Sequence, residues 1–76
     1  MRKEGAWSGY RTVNRWQFTC HYLDLHLTAR VPYFSEAVTL KFERNDMHIF
    51  TAHFESLTEL NAFLGEFALP KLPMER

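Results

Sequence analysis

The run AVTLKFERNDMHIFTAHFESLTELNAFLGEF, Ala37 to Phe67, holds a strand, a hairpin turn, a second strand and a helix in unbroken succession. Val38, Leu40 and Phe42 alternate with Thr39, Lys41 and Glu43, the period of a strand with one face buried. Asn45-Asp46 follow, and these residue types tolerate the positive φ of a tight hairpin turn. The returning arm, Met47 to Phe54, is a strand in which Ile49, Phe50, Ala52 and Phe54 break strict alternation, so either both faces are partly covered or a bulge intervenes near Ile49-Phe50. Ser56 with Glu59 three residues on forms a capping box that starts a helix. Leu57, Leu60, Phe63, Leu64 and Phe67 then recur on one helical face, and the helix ends before Pro70. Gly65 weakens it by roughly 1 kcal/mol relative to alanine.

Working toward the N-terminus, Pro32 interrupts the pattern and predicts a loop over 32 to 36. Before it, Leu23, Leu25, Leu27 and Ala29 alternate with Asp24, His26, Thr28 and Arg30. Earlier still, in Thr12 to Cys20, the apolar set Trp16, Phe18 and Cys20 falls on even positions. The phase therefore flips near His21-Tyr22, which requires a bulge or a turn, because a one-residue slip exchanges the two faces of a strand. Residues 1–9 show no period and read as a flexible N-terminal arm; 10–70 form a single α+β domain and 71–76 a C-terminal tail. The fold class is α+β, an antiparallel sheet of three to four strands with one C-terminal helix packed on one face. The other face is open or partnered.

At 76 residues the chain has room for one core, and a domain of that size buries only about 60 % of the surface its unfolded chain exposes. Cys20 is the only cysteine, so no internal disulfide braces the fold, which favours a reducing, cytoplasmic location. Apolar runs are far too short for a membrane span. Nine Lys or Arg balance nine Asp or Glu, which argues against strong generic affinity for nucleic acid or anionic lipid. The balance is uneven along the chain. Arg2, Lys3, Arg11 and Arg15 outweigh Glu4 in the first sixteen residues, whereas carboxylates dominate after residue 31.

Four histidines invite a metal reading. His21 and His26, like His48 and His53, are five apart in strands, so the members of each pair point to opposite faces unless a bulge intervenes. The heptads around the two pairs are alike, but their flanks show no further match. A Cys–His hydrolase would need Cys20 as nucleophile with a histidine base, and no glycine-rich elbow or helix start follows Cys20 to activate it. Phosphate loops, dinucleotide fingerprints and paired cysteines are likewise missing from the sequence. The chain is expected to be non-catalytic, with no cofactor and no metal.

What remains is binding. Size, element order and the lack of a catalytic motif are broadly similar to small phage or mobile-element accessory proteins that inhibit host machinery, a likeness of architecture with no motif behind it. The leading expectation is a protein-binding module acting as inhibitor, adaptor or regulator, with a protein partner or a homodimer. Its candidate anchors are Trp7, Tyr10, Tyr22 and Tyr33, with Glu55, Glu59 and Glu66 as an acidic surface. The alternative is a nucleic-acid-binding domain using Arg11, Arg15 and Trp16 of the basic, aromatic N-terminal segment.

Overall fold

The computed structural model of the chain describes residues 6–74. Five strands, β1 (Ser8–Arg11), β2 (Arg15–Tyr22), β3 (Leu25–Pro32), β4 (Val38–Arg44) and β5 (Met47–Phe54), are followed by one helix, α1 (Leu57–Glu66). The strands form a single antiparallel meander in chain order. The expected three to four strands are thus corrected to five. The additional one, β1, lies in Ser8-Gly9-Tyr10-Arg11, where every residue is exposed and no apolar alternation marks a strand. Its pairing with β2 starts within the stretch expected to be a flexible arm; residues 1–5 lie outside the described residues.

The phase flip near Tyr22 is a two-residue turn, Leu23-Asp24, between Tyr22 and Leu25, which pair directly. Leu23 has φ 57°, in the left-handed region that costs a non-glycine residue roughly 1–2 kcal/mol. Asn45 and Asp46 have φ 52° and 62°, the positive pair that a type I′ hairpin needs. In β5 the pairs Phe42 with Phe50 and Glu43 with His48 leave Ile49 as the extra residue of a bulge, the second of the two alternatives for this strand.

Direct cross-strand partners share a face, so the register sorts every strand residue to one side or the other. Phe18, Cys20, Leu27, Ala29, Val31, Val38, Leu40 and Phe42 lie beneath the helix, which adds Leu57, Leu60 and Leu64 to one core. Ser56 caps the helix: its Oγ accepts from the Glu59 N–H at 3.2 Å. Glu59 reaches back to the Glu55 N–H at 3.0 Å, one residue beyond the usual capping-box partner. The C-terminus closes as a Schellman motif. Leu69 N–H donates to Leu64 at 2.8 Å and Ala68 N–H to Gly65 at 3.2 Å, with Ala68 at φ 56° where glycine is usual. Beyond it the expected tail is docked through Leu72, which is buried and donates its N–H to Asn61 Oδ1 at 2.9 Å. Among the described residues no helix is long and apolar enough to cross a membrane.

Candidate functional site

The apolar stripe of α1 overruns its core. Leu57, Leu60 and Leu64 are buried, whereas Phe63 is half-buried and Phe67, one turn on, is 61 % exposed. These two rings, with Leu69, form one wall of a groove of about 410 Å³ between the helix end and the sheet. Tyr22, Leu23 and Leu25 of the β2–β3 hairpin form the other wall. Phe42 and Phe50 complete the lining, their rings stacked at 4.4 Å between centroids. Phe63 stands edge-on to Phe42 at 6.3 Å and contacts Phe54 at 5.2 Å and Phe67 at 4.7 Å. A continuous aromatic wall thus runs from the core to solvent. Every lining side chain but Tyr22 is hydrocarbon.

The groove opens onto the edge of the sheet. Among the described residues strand β5 has no neighbour on its outer side; it extends over eight residues and contains no Lys, Arg, Asp or Glu and no proline. Such edges are ordinarily blunted by lysine, proline or shortness, as β1 is by its four residues. Met47, Ile49 and Phe50 are exposed along β5. Leu23, at the lip on the far side, is 72 % exposed while held at positive φ.

The anticipated anchors separate in the structure. Trp7 donates its indole N–H to the Pro70 carbonyl at 2.7 Å, and Tyr33 donates its hydroxyl to the Thr12 carbonyl at 2.6 Å. Both are therefore engaged inside the fold. Tyr22 lies in the groove, and Tyr10 is exposed on the helix-free face of the sheet. Glu55 and Glu59 meet in the helix cap, and Glu66 is exposed at its far end. Arg11 covers the Trp16 ring, 5.5 Å from its centroid, on the helix side of the sheet. Arg15 belongs to the opposite face, so the three residues of the nucleic-acid alternative do not share one surface.

Cys20 is buried beneath the helix, and burial pushes its thiol up from the ordinary range, away from a reactive thiolate. Its neighbour His21 points to the other face, as do His26, His48 and His53. The five-residue spacing keeps each pair on one side because Leu23-Asp24 turns the chain between the first two and Ile49 bulges between the second. His21 and His26 stack at 4.4 Å between ring centroids, 2° from parallel. Among the described residues no three His, Cys, Asp or Glu side chains are arranged to hold a metal ion. The groove itself was hidden from sequence reasoning, although Phe67 beyond the last buried turn and an uncharged β5 were its two legible signs. Compared with protein-family models, with curated proteins and with solved structures, the chain matches none.

Proposed function

We propose that the protein is a non-catalytic binding module that holds an extended segment of a protein partner along β5 and seats one of its apolar side chains in the aromatic groove. The observation that carries this reading is the continuity of the groove with an uncharged, eight-residue edge strand. An added strand supplies main-chain hydrogen bonds, and a pocket beside the edge selects the side chain that enters it. Leu23 supports the reading, because an exposed leucine in a left-handed turn strains the fold without filling its core. An inhibitor or adaptor of this kind blocks or bridges by occupancy and needs no reacting group of its own.

Leu23→Gly tests the proposal against the fold. Relief of the positive φ leaves stability unchanged or raised, while removal of the lip weakens the partner complex; Ile49→Lys blocks the edge independently. The wild-type protein and both variants are to be tagged, used for affinity capture from source-cell lysate with and without nuclease, and compared in thermal melts. A defined protein, resistant to nuclease, that is retained by the wild type and lost with both folded variants supports the reading. Retention of the same protein by both variants overturns it.

A further inference from the structure

Opposite the helix, the sheet presents a second surface independent of the groove. Register places four cross-strand rows on it. Arg15 stands in the first; Gln17, Arg30 and Thr39 share the second; Thr19, Thr28 and Lys41 the third; His21, His26, Glu43 and His48 the fourth. No layer of the described chain covers this face. Among the described residues its single carboxylate is Glu43, whereas Asp24, Glu36, Asp46, Glu55, Glu59 and Glu66 lie in turns, in a loop and around the helix. Among the described residues the strand positions of this face thus hold three cations, Arg15, Arg30 and Lys41, against one carboxylate, in a chain of zero formal charge.

The cations on that face form a line. Arg15 on β2, Arg30 on β3 and Lys41 on β4 each sit one row further along than the last. Diagonal cross-strand neighbours are roughly 7–8 Å apart, so the stripe runs for about 14–16 Å. Among the described residues Arg15 and Arg30 have no carboxylate partner, and Lys41 meets only Glu43, at 3.8 Å. Beside the stripe lie exposed Tyr10 and the stacked rings of His21 and His26, flat surfaces of the kind on which bases stack.

We infer that this face binds single-stranded nucleic acid, with successive phosphates along Arg15, Arg30 and Lys41. An acidic polypeptide fits the charge but not the geometry. Lying across the face of a sheet, it finds no strand edge to satisfy its own backbone N–H and C=O groups. In a nucleic-acid strand the backbone is itself the charge. Glu43 restrains the binding, because its carboxylate competes with phosphate for Lys41.

The test uses a fluorescein-labelled oligothymidylate and the full chain, with affinity measured by anisotropy across salt. Three phosphate contacts on a single strand predict about 20-fold weaker binding on going from roughly 50 to 200 mM salt. The double substitution Arg30→Gln with Lys41→Gln cuts that dependence to about threefold and weakens binding at low salt. Glu43→Gln tightens it, and Arg30→Lys with Lys41→Arg, which keeps the charge, retains it in a protein whose circular dichroism is unchanged. Absence of binding at low salt overturns the inference. So does equal binding by the folded double variant, or tighter binding of poly-glutamate than of the oligonucleotide. Phe50→Asp, in the groove, leaves oligonucleotide binding unchanged, which separates this surface from the one proposed above.

Discussion

Leu40 and Lys41 are neighbours in β4, and they face two different worlds. On the helix side Leu27, Ala29, Val31 and Leu40 are wholly removed from water and interlock with Leu60 and Leu64. On the other side threonines, histidines, arginines and a lysine stand in rows beneath no covering layer. Only Thr28, at the centre of those rows, is buried, at 7 % exposed. The contrast teaches that stability and surface chemistry are divided between the faces of one sheet. A chain this short has a single core in which to place its hydrophobic driving force.

The strongest way to break the comparison is Leu40→Ala, which leaves a cavity in the closed face and is expected to cost about 2–5 kcal/mol. Domains have about 0.05–0.15 kcal/mol of stability per residue, or roughly 4–11 kcal/mol for a chain of this length, so this single change removes a large part of the total. Urea unfolding measures it; a loss below about 1 kcal/mol would mean that the core is loosely packed.

Gly9→Ala probes the margin of the same face. Gly9 is opposite Phe18, and a Cβ there would collide with the Phe18 ring, which is itself buried. Overpacking of this kind costs about 1–3 kcal/mol. Adding Phe18→Leu should recover part of the loss from Gly9→Ala in a double-mutant cycle, and strict additivity would show that the ring is not what forbids a side chain there. The smallest effect is expected from Lys41→Gln on the open face, within about 0.5 kcal/mol in the same unfolding assay. A larger loss would give the open face a structural duty and erase the division.

From β4 to the helix the period and stop signals of the sequence foretold the structure, whereas the strand expected over Thr12 to Cys20 runs from Arg15 to Tyr22, and Pro32, expected to open a loop, still belongs to β3. Strand β5 has the expected bounds, Val38–Arg44 differs from the expected Ala37–Glu43 by one residue at each end, and the bulge and the cap fall where their residues announce them. Strand β1 was illegible because Ser8–Arg11 is held by pairing with β2 and by the contact of Gly9 with Phe18, neither of which leaves a local pattern. The same limit governs the sites. Trp7 and Tyr33 read as exposed anchors until their polar atoms meet carbonyls distant in the chain. The groove and the basic diagonal exist only once register sets hairpin, helix end and strands side by side.

The hydrogen bond from Trp7 to Pro70 joins residues 63 apart and fastens the entry to β1 onto the segment that follows the helix. The molecule is thereby cinched like a belt, with its buckle far from the centre of the sheet. Both of its tryptophans pack against the core, and Trp7 is in addition the buckle. The emission of Trp7 therefore registers the fraying of the clasp as well as the loss of the fold, and that of Trp16 the loss of the fold. A protein in which Trp16 is replaced by phenylalanine leaves Trp7 as the optical gauge, and any emission change that precedes global unfolding is then the opening of the clasp.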